Sequence, residues 1–339
     1  MENCKDLIID YVEGMKITEP CIIRGMPNEI YHKYPALSNS GLKTLIKCPA
    51  KYYYKYLSGE YEPKEKPHFK IGKAAHKYIL EGKEEFEKEY WHNPYSEMKK
   101  EELIELLMTF GYEQQNVKKL LVADLMELVL KEANVEPKAI HLTASELNQV
   151  VCMARSIKND LKANNALSKK GESELSIFWQ DEKTGVWLKC RPDYLPYDCI
   201  NVPDYKTADS ADPETFFNSF IKYGYHVQAA MYRMGIKAVT GIDVKNFFFI
   251  VQEKEPPYVT QIFNPDVEHL IVWGEKAIYS GIEKYLECKG RGIWAGYSER
   301  IIELRIEPSP EEVIGNYDKE NGIIYAPKWI DSELMKYEA

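Results

Sequence analysis

Asp193, Asp204 and Lys206 are the residues of this 339-residue sequence whose types and spacing most directly suggest chemistry. Hydrolysis of a phosphodiester calls for a hard cation to offset developing charge and activate water. Magnesium takes oxygen ligands for this work, commonly one or two carboxylates plus waters and substrate. Asp193 closes the stretch VWLKCRPD, which reads as a strand; Asp204 follows the short run CINVP, and Lys206 stands two residues further on. Side chains alternate along a strand, so residues 204 and 206 share a face and an ammonium stands beside the cation and its water. The Asp-x-Lys triplet recurs at Asp181–Lys183 and Asp243–Lys245. The first falls in a hairpin turn and the second precedes its strand. Only the 204–206 copy has a preceding strand and a partner aspartate in the adjacent one.

The elements that must position these residues follow from pattern. ESELSIFWQD and VWLKCRPDYL read as a β-hairpin around a Lys183-Thr-Gly185 turn, followed by the strand leading to Asp204. Asp212-Pro213 opens a helix with proline at its first position, and another helix starts near His226. NFFFIVQE and YVTQIFN predict two more strands before a long helix from Asp266. Upstream, 38–57 predicts a short helix interrupted near Pro49, and a second helix runs from about Ile71, through His76, to a stop at Gly82. Thr143-Ala-Ser-Glu146 has the form of a capping box that introduces a helix of about 20 residues through Asn164. The leucine-rich segment 84–140 predicts an inserted pair of short helices around a Gly-Tyr turn, either a packing hairpin or a small binding module. The expected fold is a single mixed α/β (α+β) domain over 1–339, with a central mixed sheet flanked by helices. It has a basic, aromatic helical segment at 38–82, the insertion at 84–140 and a C-terminal extension at 300–339.

Composition is that of a soluble globular chain, 45% hydrophobic and 29% charged. No apolar run approaches the ~20 residues that span a bilayer, and the acidic N-terminus does not resemble a signal peptide, so the expected location is the cytoplasm, without a membrane partner. Seven cysteines without a CxxC pair argue against a disulfide framework, a structural zinc or an iron–sulfur cluster. The net charge of −9 speaks against nucleic acid. Locally the balance reverses: residues 42–77 hold nine lysines against three glutamates, a net +6, interleaved with Tyr52, Tyr53, Tyr54, Tyr56, Tyr61 and Phe69. That segment is either a surface pairing cations with phosphates and rings with bases, or the solvated face of an amphipathic helix.

With YHKYPALSNSGLKTLIKCPAKYYYKYL, KIGKAAHKYILEG, the hairpin followed by NVPDYKTAD, and YGYHVQAAMY, the chain resembles the PD-(D/E)xK nuclease superfamily over roughly residues 30–250. The order of histidine, glutamate, Asp, Asp-x-Lys and Gln-x-x-x-Tyr is similar to its RecB-type branch, and the match narrows to the exodeoxyribonuclease VIII (RecE-type) family of phage recombination exonucleases. The resemblance implies a restriction-endonuclease-like core and makes His76, Asp193 and Asp204 metal ligands, with the Tyr205 carbonyl completing the shell. It makes Lys206 the stabiliser of the attacking hydroxide, and gives catalytic places to Glu174 (or its neighbour Glu172), Gln228 and Tyr232. Ser38, Lys43, Lys47, Arg191 and Lys222 are the candidate DNA contacts. The implied activity is a Mg2+-dependent 5′ to 3′ exodeoxyribonuclease with two ions per site, Mn2+ substituting. It would act on ends of linear double-stranded DNA and leave 3′ tails for a RecT-type annealing protein. A homo-oligomeric ring in a bacterial host, of phage or prophage origin, goes with that family. Two alternatives stay open: a single-strand-specific or endonucleolytic enzyme of the same superfamily, and a non-catalytic DNA-binding protein with a vestigial site.

Overall fold

The computed structural model describes residues 3–62, 70–135, 140–298, 301–305, 317–318 and 323–325. Lys64, Lys66 and Phe69 of the basic segment, and most of 300–339, lie outside the described residues. The chain divides into two compact units, Met1–Asn39 with Pro63–Ala277, and Ser40–Glu62 with Ile278–Ala339.

The first unit is mixed α/β. One sheet of five strands has the order Ile8–Asp10, Cys21–Arg24, Ser176–Gln180, Trp187–Cys190 and Leu37–Ser38, and a second has the order Asn201–Ala208, Asn246–Glu253 and Thr260–Phe263. Asn201–Ala208 and Asn246–Glu253 run parallel, from Asn201 opposite Asn246 to Ala208 opposite Glu253. A parallel pair needs a crossover, and the helices Pro213–Tyr223 and Tyr225–Thr240 supply it. Covered strands are apolar along their length. Accordingly Phe247, Phe249, Ile250 and Val251 are all buried, each stabilising the unit by roughly 1.5–3 kcal/mol relative to exposure.

Local signals explain most boundaries. Asp212 Oδ1 accepts the Thr215 amide at 2.9 Å, with Pro213 in the first helical position. Thr143 and Glu146 form the expected reciprocal cap, at 3.1 and 2.8 Å. The single helix expected through Asn164 is instead two, Ala144–Asn159 and Leu161–Leu167. The cause is Asp160, whose Oδ1 accepts the Lys162 and Ala163 amides and restarts the helix as a new N-cap.

The hairpin also departs from its expected continuity. Ser176–Gln180 pairs antiparallel with Trp187–Cys190, closed by Asp181 accepting from the amide and hydroxyl of Thr184. Upstream of it, Gly171–Ser173 pairs with Tyr194–Pro196 as a separate ladder. Glu174 stands at the join in a left-handed conformation, φ +56°. Asp193 therefore lies in a gap between two strand segments rather than at a strand end. The next strand, Asn201–Ala208, is longer than the run CINVP implies and carries Asp204 and Lys206 in its interior.

Within 84–140, the helices Lys100–Thr109, Gln114–Val117 and Val122–Glu132 close on a core of their own, Leu103, Ile104, Leu107, Val117, Leu125 and Val129. The segment thus holds three helices here where a pair was expected. The parallel strands Tyr90–His92 and Ile140–Leu142 frame it.

The second unit contains the helix Asn39–Lys47, which ends where Cys48 is extended, followed by Pro49–Tyr52 and a wider turn at Tyr53–Leu57, so the break falls at Pro49 as expected. Leu42 and Leu45 are buried, and the absence of a side chain at Gly281 makes room for Leu42: a Cβ there would stand 2.7 Å from Leu42 Cδ2. Among the described residues no helix is long and apolar enough to cross a membrane.

Candidate active site

Four elements of the first unit converge on one cleft of about 790 Å3, lined among others by His76, Glu174, Arg191, Asp193, Tyr205 and Lys206. The helix Lys70–Leu80 brings His76; small side chains let it approach, since a Cβ at Gly72 would stand 2.7 Å from Thr207 Oγ1. His76 Nε2 lies 3.1 Å from Asp193 Oδ2, and Nδ1 lies 4.0 Å from Glu174 Oε1. Ligand atoms of His76, Glu174 and Asp193 all fall within 4.8 Å of one another. The kink between the two ladders makes this possible, since the Glu174 amide donates to the Asp193 carbonyl at 3.3 Å. Asp193 Oδ2 also accepts the Tyr205 amide at 3.0 Å, which ties the gap to the neighbouring strand.

On that strand, Asp204 and Lys206 project to the same side and are ion-paired; Lys206 Nζ is also 3.9 Å from Asp193 Oδ2. Gln228, on the helix Tyr225–Thr240, donates from Nε2 to Asp204 Oδ1 at 2.7 Å, with both residues buried. Asp204 Oδ2, also buried, is the oxygen paired with the Lys206 ammonium.

The electrostatics are those of a site short of positive charge. Burial, reinforced by the Asp193 charge, pushes the Asp204 carboxyl up to about 7. Burial, then Asp193, does the same to Glu174, also to about 7. At Asp193 burial is outweighed by Lys206, His76 and the Tyr205 amide, and the carboxyl falls to about 2. Burial disfavours the charged forms of His76 and Lys206, but the carboxylates prevail and raise both. Carboxyls raised at Asp204 and Glu174, and cations raised at His76 and Lys206, both mark acidic groups crowded into one place. The crowded acidic groups and a donor set of imidazole nitrogen and carboxylate oxygens from His76, Glu174 and Asp193 fit a divalent cation.

The geometry separates the two candidate glutamates. Glu172 is committed elsewhere, bound to Arg24 and to the Tyr197 hydroxyl, whereas Glu174 faces the centre. Tyr232 lies one helical turn beyond Gln228, its ring edge-on to Phe247 at 5.7 Å. Arg191 lines the cleft, but its guanidinium donates to Ser176 Oγ, Asn28 Oδ1 and the Met26 carbonyl and stacks on Tyr31 at 4.1 Å, so it braces the wall. Lys222, beside the Tyr223 ring at 5.8 Å, and Ser38, on the strand Leu37–Ser38, are not among the residues lining the cleft. Lys43 and Lys47 lie on Asn39–Lys47 in the second unit.

One contributor escaped the sequence reading. The Lys206 ammonium stands 5.6 Å from the centroid of the Tyr225 ring, which packs in turn on Phe249 and Phe216. Its signal was available, because Tyr225 precedes Gln228 by three positions on one helix face.

A family model described as "PDDEXK-like domain of unknown function (DUF3799)" matches residues 38–306. Among solved structures, a protein of Eubacterium rectale described as "Putative exonuclease" is similar to this chain at 14% identity, covering 88% of this chain and 97% of its own, with a TM-score of 0.52. The structure of SSO0001 is 13% identical over 63% of this chain and 85% of its own, at a TM-score of 0.24, too low to bear on the fold. No curated protein matches.

Proposed function

Because this chain belongs to the PDDEXK-like family DUF3799, we propose that it is a divalent-metal-dependent nuclease that hydrolyses DNA phosphodiester bonds. The observation that carries the reading is the convergence of His76, Glu174, Asp193 and Lys206 on one cleft, with the fully buried Asp204 ion-paired to Lys206. His76, Asp193, Asp204 and the Tyr205 carbonyl are the groups to hold the cation, with Glu174 beside them. When bound, such an ion neutralises charge on the scissile phosphate and lowers the pKa of water. Lys206 donates to the attacking oxygen and offsets charge that develops on the phosphoryl oxygens. Gln228 fixes the Asp204 carboxylate, and Tyr225 and Asp193 restrict where the ammonium can point. Tyr232, on the same helix face, aligns the wall against which the phosphate rests.

The finer reading is a 5′ to 3′ exodeoxyribonuclease on linear duplex ends that leaves 3′ tails for an annealing protein, using two Mg2+ ions with Mn2+ as substitute. It would work in the cytoplasm of a bacterial host as a homo-oligomeric ring. Its support is the RecE-type order of motifs carried by His76, Glu174, Asp193, Asp204, Lys206, Gln228 and Tyr232. The experiment compares linear and closed circular duplex in Mg2+, with end-labelled strands to read polarity. Release of nucleotides from the 5′ strand of the linear form alone is expected, and Asp204→Asn should reduce it by about 1,000-fold, the scale of a lost electrostatic catalytic group. Cutting of the circle would replace the exonuclease reading by an endonuclease. Undiminished cleavage by Asp204→Asn would remove the metal site altogether.

A further inference from the structure

The second unit carries a feature that the nuclease centre does not use. Tyr52 is buried there, stacked on Trp294 at 5.7 Å and edge-on to Tyr285 at 6.2 Å, which is ordinary packing. Its neighbours face water: Tyr53 is 44% exposed, Tyr54 50%, Tyr61 39% and Tyr297 58%. Single exposed rings are unremarkable, but a group of them on one small surface signals a binding face. Cations are interleaved with them. Lys55 Nζ stands 5.2 Å from the Tyr56 ring and 5.7 Å from that of Tyr61, while Tyr54 meets Tyr61 edge to face at 5.9 Å. Lys51 donates to the Tyr297 hydroxyl at 2.5 Å and lies 5.0 Å from that ring. Residues 40–62 hold four lysines against two glutamates in a chain of net charge −9. Flat rings with ammonium groups between them match a polyanion whose flat groups are unpaired and free to stack, which duplex DNA does not offer.

We propose that this face of the second unit binds single-stranded DNA, with Tyr54 and Tyr61 stacking on bases and Lys51 and Lys55 meeting phosphates. The chief rival occupant is a second copy of this chain. No residue is shared with the nuclease centre, so the two readings stand or fall separately.

The test uses the full chain in EDTA, so that cleavage plays no part. Fluorescence anisotropy compares labelled oligothymidylate with an abasic oligodeoxynucleotide of the same length, which keeps the phosphates and removes the bases. Tighter binding of oligothymidylate by about ten-fold or more is expected, with that preference erased in the Tyr54→Ala, Tyr61→Ala double variant, since stacking contributes roughly 1–3 kcal/mol per base. Lys51→Gln and Lys55→Gln should each flatten the salt dependence of binding by about 0.7 in log–log slope while leaving the base preference in place. These lysine variants keep the test decisive should the tyrosine pair be misfolded by circular dichroism. Equal affinity of the wild type for the two oligomers overturns the proposal. So does a set of variants that bind oligothymidylate normally but sediment as a smaller species, which assigns the face to self-association.

Discussion

The Gln228 amide donates to Asp204 Oδ1 at 2.7 Å and so ties the helix Tyr225–Thr240 to the strand Asn201–Ala208, which carries Lys206 into the cleft. The bond holds a fully buried carboxylate in the rotamer that turns its other oxygen to Lys206. Hydrogen bonds to charged groups contribute about 1.5–3 kcal/mol, and an orphaned buried carboxylate costs at least as much. Gln228→Met, which keeps volume but not the donor, should therefore lower unfolding stability by roughly 2 kcal/mol and slow duplex cleavage by about 100-fold. Urea unfolding and single-turnover cleavage measure the two effects. A variant with normal turnover would show that Asp204 needs no orienting partner.

Glu174 combines a left-handed backbone with a partly buried carboxyl whose pKa is raised, two features a residue chosen for stability would avoid. Asparagine tolerates that conformation better and carries no charge. Glu174→Asn is expected to raise stability by about 1 kcal/mol, a rise of roughly 2 °C in midpoint, while cleavage falls. A thermal melt run alongside the cleavage assay decides it: a lower midpoint would mean that the glutamate supports the fold.

Gly235 lies two turns along the same helix from Gln228, pressed against the Trp179 ring. A Cβ there would stand 2.6 Å from Trp179 Cζ3. Trp179 is itself buried in the strand Ser176–Gln180 and cannot yield, so Gly235→Ala should cost about 1–3 kcal/mol by overpacking. The helix would also shift with Gln228 on it, so the loss of turnover should exceed what the remaining folded fraction accounts for. Wild-type specific activity per folded molecule would contradict the coupling.

Glu172 supplies a pH signature outside the cleft. The Arg24 guanidinium, then the Tyr197 hydroxyl, hold its carboxyl below the ordinary value of 4.5. A carboxyl that titrates lower when folded stabilises the fold fully above that value, and the contribution drains away as pH falls through the lower folded value. Arg24 is half-exposed, so the contribution at pH 7 is modest, about 1 kcal/mol or less. Stability curves of wild type and Glu172→Gln should be separated at pH 7 and converge as pH falls below the ordinary value of 4.5. Parallel curves across that range would show that the ion pair is without energetic effect.

Much of this was legible in the primary structure because local rules govern it. The alternation of residues 204 and 206, the caps at Thr143 and Asp212, the helix stop at Gly82 and the break at Pro49 all depend on side chains within a few positions. Asp160 shows the limit: its capping role competes with an equally local helical pattern, and only the folded chain shows which prevails. Nothing local distinguishes Glu172 from Glu174 either, since both stand in one alternating stretch. The kink at Glu174, produced by two separate ladders, turns one toward Arg24 and the other toward His76.

The sequence alone determined which chemical groups this protein possesses and, through period and capping, which of them would share a face. Only the tertiary structure decided that Asp193 sits in a gap between strands, that Gln228 reaches Asp204, that Tyr225 lies beside the Lys206 ammonium and that Arg191 braces the wall. Each of these joins residues distant in sequence, and their contact follows from how sheets and helices pack rather than from any preference within a short stretch of chain.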